Sequence, residues 1–225
     1  MTTPQVAVLT GDLIGSTGHP VADVDTAMQA IRLASANTGR WHTLPHDTRF
    51  TRFRGDGWQI VLAEPWLSLR AAVVIQGSLM ALGMESRISI GIADAETLGT
   101  TDLSDAAGAA FELSGHGLDQ MGDSWRFAIK RKVKCVEDQL IADLLGERLD
   151  RWTAAQAEAA SLYLASPSKL RTLFDIGKEL GISPQAVNDR LRGAGCQVIA
   201  SVLRRWEALR NQTIGDQEGR NRIDD

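Results

Sequence analysis

The stretches VAVLTGDLIGST, residues 6–17, and FRGDGWQIVL, residues 53–62, are the most informative about the fold of this chain. The first is an apolar, β-branched run that ends at Gly11-Asp12, which predicts a buried strand followed by a turn. In the second, Gly55-Asp56-Gly57 stands between two β-rich runs, a strong short-range signal for a β-hairpin. We therefore expect a strand and a hairpin that bring Asp12 and Asp56 to one edge of a sheet.

The segments around these two stretches alternate between strand and helix patterns. Helical spacing follows the first strand at residues 21–31, and an apolar-rich helix is predicted over 66–82. A strand at 86–93, a helix over 107–121 and a strand at 124–130 complete the series. The order β-α-β-β-α-β-α-β combines a hairpin with crossovers, which predicts an α/β sandwich whose helices pack on one mixed sheet.

The pattern becomes entirely helical after residue 134. We divide the chain into an α/β domain over 1–134, a connecting helix over 135–152, an all-α domain over 153–211 and a disordered tail over 212–225. The tail is assigned because it has few apolar groups to bury.

Composition and charge limit the function classes. The 225 residues carry a formal net charge of -4. No apolar run reaches the roughly 18 residues that span a bilayer, so we expect a cytoplasmic protein without a membrane partner. The two cysteines match no metal spacing. Residues 1–150 hold 13 basic and 19 acidic side chains, whereas 151–225 hold 11 and 9. Any contact with nucleic acid is therefore expected in the second part.

The two aspartates suggest a metal and phosphate site. One or two carboxylates with substrate phosphates are the usual protein ligands of Mg²⁺. Gly15, Ser16 and Thr17 follow Asp12 and could offer amide and hydroxyl groups to a triphosphate. The alternative is that both Gly-Asp pairs serve only to form turns, because an Asp side chain hydrogen-bonds to the backbone that follows it and Gly accepts a positive φ.

The motifs GDLIGST, FRGDGW, RISIGIA and DAAGAAF, in this order, resemble the catalytic domain of class III nucleotidyl cyclases over about residues 4–130. This resemblance implies a ferredoxin-like, palm-type sandwich and Mg²⁺ or Mn²⁺ bound at Asp12 and Asp56. It also implies that Asp105, three residues before Gly108, selects the base. A homodimer is implied as well, with Trp58 and the hairpin near the seam.

Three positions depart from the cyclase pattern. Arg52 stands where the family has a base-reading Lys, Glu112 where it has the Asn that orients the ribose, and His116 where it has the transition-state Arg. An imidazole such as that of His116 is a weaker hydrogen-bond donor than a guanidinium, and its charge depends on the pH.

Over its whole length the chain resembles the SatD family, small bacterial proteins with a GD-x-I-x-S start, a GD hairpin, a D-x-x-G-x-A-F helix and a helical C-terminal part.

The stretch LFDIGKELGISPQAVNDRLRGAG, residues 173–195, has a helix-turn-helix pattern. Gly181 falls in the predicted turn, and Ser183-Pro184 form the cap and first position of the next helix. The pattern resembles DNA-binding helices of sigma-factor and response-regulator type, which places Gln185, Asn188 and Arg192 on the exposed side that would read bases. The alternative is a helical hairpin used for packing or dimerisation.

Two functions follow from these motifs. In the first, the cyclase-like domain binds a nucleoside triphosphate or a cyclic nucleotide, and the C-terminal domain binds DNA as a transcriptional regulator. In the second, the chain is an active Mg²⁺- or Mn²⁺-dependent nucleotidyl cyclase or a related nucleotidyltransferase. Asp12, Asp56, Arg52, Asp105 and His116 would then be its catalytic residues, and the helical part would serve assembly.

Overall fold

The computed structural model describes residues 5–43, 46–53, 55–168 and 170–221, with side chains described as far as residue 211. Within these ranges the chain forms five strands and eight α-helices. The strands are β1 Gln5–Leu13, β2 Thr51–Phe53, β3 Gly57–Leu62, β4 Ser86–Asp94 and β5 Phe127–Arg131. The helices are α1 Val21–Thr38, α2 Ser68–Met80, α3 Ala109–Asp119, α4 Val136–Leu149, α5 Ala154–Leu164, α6 Leu173–Leu180, α7 Pro184–Ala194 and α8 Cys196–Asn221.

The five strands form one mixed sheet in the order β2-β3-β1-β4-β5. Only the β4–β5 pair is parallel among these strands, and the other neighbours are antiparallel. The predicted mixed sheet and its hairpin are confirmed. In the register of β1, Asp12 lies opposite Gly57 on β3 and opposite Arg87 on β4.

Both faces of the sheet are covered, which explains why β1 is apolar at consecutive positions. Ala7 and Leu9 belong to the larger hydrophobic core, which includes α1 and α2. Val6 and Val8 belong to a smaller core on the other face, with Ala110 of α3. Because side chains alternate between the faces of a strand, Asp12 lies on the same face as Val6 and Val8.

Helix α2 joins the sheet to the C-terminal helices. Its residues are buried almost all round, and Gly77 allows α5 to approach closely, since a Cβ there would lie 3.3 Å from Ser161 Cβ and 3.4 Å from Ala157 O. Across this contact the C-terminal helices and the α/β part share one hydrophobic core. The boundary predicted after residue 134 marks a change of secondary structure and does not separate two cores.

Helices α6 and α7 are joined by the tight turn that the sequence predicts. Gly181 has a φ of 66°, and the Ser183 side chain accepts a hydrogen bond from Ala186 N–H at the start of α7. Gly177 is needed for close approach, because a Cβ would lie 2.7 Å from the carbonyl oxygen of Ile182. This helix pair packs against α5 and α8 rather than standing apart.

The backbone of α8 continues to Asn221, which differs from the disorder predicted from residue 212. A helix that is already nucleated by its packed first half gains one backbone hydrogen bond with each added residue, so its backbone extends at little cost. Residues 222–225 lie outside the described ranges. No helix in the described part of the chain combines the length and the apolar character needed to cross a membrane.

Candidate functional site

A glycine is required in each of the two Gly-Asp pairs, but for different structural reasons. Gly11 is needed because Trp58 packs across β1, and a Cβ at Gly11 would lie 2.5 Å from the indole ring. At the hairpin tip, Gly55 has a φ of 84°, a conformation that residues with a Cβ rarely adopt. Trp58 itself is fully buried and donates to Ser86 Oγ at 3.1 Å. The Trp58 side chain therefore presents no surface of its own to a second copy, and the expectation that Trp58 and the hairpin lie near a dimer seam stays a prediction.

A pocket of about 460 Å³ lies between the hairpin tip and the start of α1, and we call it the hairpin pocket. Its lining residues are Ser16, Thr17, His19, Val21, Val24, Arg52, Gly55 and Asp56. The structure thus brings together four of the predicted site residues from two separate stretches, namely Ser16 and Thr17 after β1, and Arg52 and Asp56 at the hairpin.

Asp56 and Ser16 are in contact in the lining of the hairpin pocket, where the Ser16 hydroxyl donates a hydrogen bond to Asp56 Oδ2. Gly15 has a φ of 65°, so it directs the chain after β1 into the short 3₁₀ turn Ser16–Gly18 that places the hydroxyl there. A hydroxyl is a neutral donor, so this contact does not cancel the negative charge of the carboxylate.

Arg52 connects the hairpin to α1 at the rim of the hairpin pocket. Its Nε donates to Gly55 O at 2.6 Å, and its Nη1 donates to Asp25 Oδ1 at 2.7 Å. The guanidinium therefore lies beside the hairpin tip, with the exposed Asp25 as its counter-ion.

Asp12 has a different environment from Asp56. Their backbones are neighbours, since Leu13 N–H donates to Asp56 O at 3.2 Å. The Asp12 carboxylate, however, accepts two hydrogen bonds from Arg87, with Nε to Oδ1 at 3.0 Å and Nη2 to Oδ2 at 2.5 Å. The bond to Asp12 raises the pKa of Arg87 above its usual value. Asp12 is not among the residues that line the hairpin pocket.

The two aspartate carboxylates differ in whether their hydrogen-bond partners leave them able to bind a metal ion. Both oxygens of Asp12 are bound to a permanent cation, so Asp12 does not fit a metal ligand while Arg87 holds it. In the part of the chain that the structure describes, the side-chain partner of Asp56 is the neutral hydroxyl of Ser16, so Asp56 can serve as a ligand for one ion. Among the described residues, no group of three or more His, Cys, Asp and Glu side chains is arranged to hold a metal.

Asp105 organises a loop. Its Oδ1 accepts from Thr100 N–H at 3.0 Å and its Oδ2 from the Thr100 hydroxyl at 2.8 Å. The backbone and hydroxyl bonds from Thr100 lower the pKa of Asp105 below its usual value. Asp105 is exposed and does not line the hairpin pocket.

Glu112 and His116 lie on the outer face of α3. Both are exposed, whereas Ser114 and Gly117 face the sheet. Ser114 makes a buried 2.7 Å hydrogen bond with Thr10 of β1, which fixes which side of α3 is turned inwards. Neither Glu112 nor His116 lines the hairpin pocket of its own chain.

The residues predicted to read DNA are only partly on an open surface. Gln185 and Arg192 are exposed, but Asn188 is half-buried. Asn188 and Arg192 both line a groove of about 280 Å³ that also includes Tyr163 and Leu170. The prediction that all three lie on the exposed side of α7 therefore needs correction for Asn188, because the segment between α5 and α6 borders that side.

Sequence reasoning missed Arg87, whose guanidinium donates two hydrogen bonds to the predicted site carboxylate of Asp12. Its signal was a charged side chain at the start of the strand pattern SRISIGIA, where Arg87, Ser89 and Gly91 share the face turned to α3. The sequence does not identify its partner, because Asp12 is 75 positions away.

The chain matches no protein-family model and no curated protein. It is similar to the crystal structure of the guanylyl cyclase Cya2, with 16% identity and a TM-score of 0.39, over 64% of this chain and 81% of that chain. It is also similar to a bacterial light-regulated adenylyl cyclase, with 16% identity and a TM-score of 0.37, over 57% of this chain and 77% of that chain. Both are nucleotidyl cyclases, but likenesses this distant carry no argument about activity. The SatD resemblance stays a prediction.

Proposed function

We propose that this chain binds a nucleoside triphosphate in the hairpin pocket, together with a Mg²⁺ or Mn²⁺ ion at Asp56. The composition of the pocket carries this proposal. It combines two hydroxyls, a guanidinium and the start of a long helix with one carboxylate, which are groups suited to phosphates and to their counter-ion.

The phosphate side of the pocket is formed by α1 and the turn before it. The N-cap residue of this 18-residue helix is Pro20, which supplies no side-chain cap, so amide groups at the very start of its first turn are available to an anion. Thr17 adds a hydroxyl donor and Arg52 adds positive charge at the rim, while the Ser16 hydroxyl donates to Asp56. A guanidinium suits phosphate oxygens because it presents several donors in one plane.

The metal side of the pocket is Asp56. Mg²⁺ is usually held by one or two carboxylates and by the phosphates of the substrate. One carboxylate that keeps its charge is therefore enough for an ion that arrives with the nucleotide.

For the bound nucleotide we propose cyclisation, in which the ribose 3′ oxygen displaces pyrophosphate from the α-phosphorus. The sequence resemblance to nucleotidyl cyclases supports this reaction. Asp105 and His116, which that resemblance assigns to the site, do not line the hairpin pocket of their own chain. The proposed reaction therefore requires a homodimer, in which a second copy presents its α3 and the loop before it.

The experiment incubates the full chain with each of the four nucleoside triphosphates and Mn²⁺ or Mg²⁺, and measures both thermal stabilisation and cyclic product. A ligand at about 100 times its dissociation constant stabilises the folded state by about 2.7 kcal/mol. For a protein of this size we expect a rise in Tm of roughly 5–10 °C. Light scattering on the same samples reports the oligomeric state.

Asp56→Asn should lose the metal-dependent part of the stabilisation and the product. The matched control is Asp189→Asn, which removes the same charge from an exposed position on α7 and should behave like the parent. If no nucleotide stabilises the parent, or if Asp56→Asn is stabilised equally, the proposed site is wrong. Binding without product would retain the site and remove the cyclase reaction.

A second candidate function is DNA binding by α7, and the geometry of the α6–α7 turn favours it. The left-handed Gly181, the Ser183 cap and the close approach at Gly177 are the features that hold two helices in a helix-turn-helix. In this proposal the nucleotide regulates a transcription factor.

The test of the second candidate is a binding selection on genomic fragments near physiological salt. Gln185→Ala and Arg192→Ala should each cost about 1–3 kcal/mol at a specific site. Arg204→Ala is the comparison, since this exposed residue of α8 would contact phosphates and weaken binding to all sequences alike. The absence of any enriched sequence would remove the DNA-binding proposal and leave the nucleotide site untouched.

A further inference from the structure

The guanidinium of Arg87 donates hydrogen bonds to oxygen acceptors from several parts of the chain. Besides its two hydrogen bonds to Asp12, its Nη1 donates to the carbonyl oxygen of Met121 at 3.2 Å. The same nitrogen lies 3.7 Å from Asp123 Oδ1. The guanidinium is thus held between the end of β1 and the segment that follows α3.

The groups around Arg87 carry more negative charge than one arginine can balance. Asp12, Asp119 and Asp123 all interact electrostatically with the guanidinium. Three carboxylates and a peptide carbonyl are hard oxygen ligands of the kind that Mg²⁺, Mn²⁺ and Ca²⁺ bind. No group of three acidic side chains among the described residues is arranged to hold a metal, so the oxygen groups at this place surround the Arg87 guanidinium rather than a metal ion.

We propose that Arg87 is a built-in cation that takes the place of a divalent metal ion at Asp12, so that the chain holds no metal ion there. The proposal rests on the proposed function only in assigning the one remaining metal position to Asp56. In this proposal Asp12 and Asp56, which the sequence suggests as ligands of a common metal site, have different roles.

Three features make the replacement durable. The fork of a guanidinium matches both oxygens of a carboxylate, which gives two charge-assisted hydrogen bonds. Arginine does not lose its charge in proteins, so a change of pH does not release Asp12 by deprotonating Arg87. The cation is also tethered, since Arg87 is the direct cross-strand neighbour of Asp12, and a metal ion from solution must compete with a group that never diffuses away.

The experiment measures Mn²⁺ binding to the full chain by electron paramagnetic resonance in the absence of nucleotide. We expect the parent to show no Mn²⁺ site that depends on Asp12. The variant Arg87→Gln should gain one site with a dissociation constant of about 0.1–1 mM, the range of weak oxygen sites. Adding Asp12→Asn to Arg87→Gln should remove the gained site.

A matched control removes another arginine that bridges carboxylates. Arg126 contacts Glu85 at 2.8 Å and Asp150 at 2.9 Å, so Arg126→Gln leaves two carboxylates rather than three and should gain no Mn²⁺ site. Circular dichroism establishes that each variant is folded. If Arg87→Gln does not fold, Arg87→Lys replaces it, because one ammonium cannot hold both oxygens of Asp12, and a weaker gain is expected.

Two results would overturn the proposal. The first is a Mn²⁺ site in the parent that Asp12→Asn abolishes, since Arg87 would then not exclude the metal. The second is a folded Arg87→Gln or Arg87→Lys variant that binds no more Mn²⁺ than the parent. Because no nucleotide is present, this test can succeed where the nucleotide-binding test fails, and the reverse.

Discussion

The buried ion pair between Arg70 of α2 and Glu207 of α8 provides a direct test of how the two parts of the chain are joined. Arg70 Nε lies 2.6 Å from Glu207 Oε1, and its Nη2 lies 3.0 Å from Oε2. Its Nη1 donates to Leu164 O of α5 at 3.2 Å. The side chains of Arg70 and Glu207 are 1% and 11% exposed, so each charge depends on the other for compensation.

The change Arg70→Met leaves Glu207 as an uncompensated charge in a nearly water-free place. Breaking one side of a buried pair costs about 3–5 kcal/mol, whereas replacing both sides with apolar residues is often neutral or stabilising. Since a folded domain is stable by about 5–15 kcal/mol in total, Arg70→Met should remove a large share. The double variant Arg70→Met, Glu207→Leu should recover most of the loss.

The assay is urea denaturation, followed by circular dichroism and by tryptophan fluorescence. The control is Arg151→Met, which breaks an exposed pair with Glu147 and should cost no more than about 1 kcal/mol. A loss below about 1 kcal/mol for Arg70→Met, or no recovery in the double variant, would refute the reasoning. Separate transitions for the sheet and the C-terminal helices would refute the shared core.

Three further predictions concern the core, the pH dependence and the thiols. Gly91→Ala should destabilise the fold by about 1–3 kcal/mol or more, because its Cβ would lie 2.2 Å from the backbone oxygen of Ala110. Gly115→Ala, whose Cβ would meet nothing within 4 Å, should instead stabilise α3 by up to about 1 kcal/mol; equal effects in urea denaturation would contradict both. Burial lowers the pKa of His42 below 6.5, so its stabilising contribution is complete above that pH and is lost as the pH falls through the lowered value. The stability of His42→Asn should therefore fall less than that of the parent between about pH 7.5 and 5, and parallel pH profiles would contradict this. Burial raises the pKa of Cys196 to about 12, so a thiol reagent should modify it only after denaturation.

The order and type of the elements in the α/β part could be predicted from local pattern. The Gly-Asp-Gly triplet predicted the hairpin because both the left-handed Gly55 and the β-rich flanks are local features. The same holds for the turn between α6 and α7, where Gly181 and the Ser183 cap act within a few residues. In each case the physical cause lies inside the stretch that was read.

The packing of the C-terminal helices on α2 was not predicted, although the sequence carries a signal for it. Helix α2 is apolar on nearly all sides, and a helix of that kind is buried all round. One sheet face can cover only one side of a helix, so α2 required a second layer, which α5 supplies at Gly77. The change from strands to helices at residue 135 instead suggested a separate domain.

The contact between Asp12 and Arg87 could not be predicted from local pattern because the two residues are far apart in the sequence. Local pattern placed Asp12 at the end of a strand, and its charge suggested a metal ion. The register of β4 against β1 then sets Arg87 opposite Asp12, and that register follows from the complete sheet rather than from either stretch. A carboxylate at a strand end therefore identifies a place where a cation is needed. Whether that cation is a metal ion or an arginine depends on the residue across the ladder, which here is Arg87, and this contact is the reason for proposing the metal ion at Asp56 rather than at Asp12.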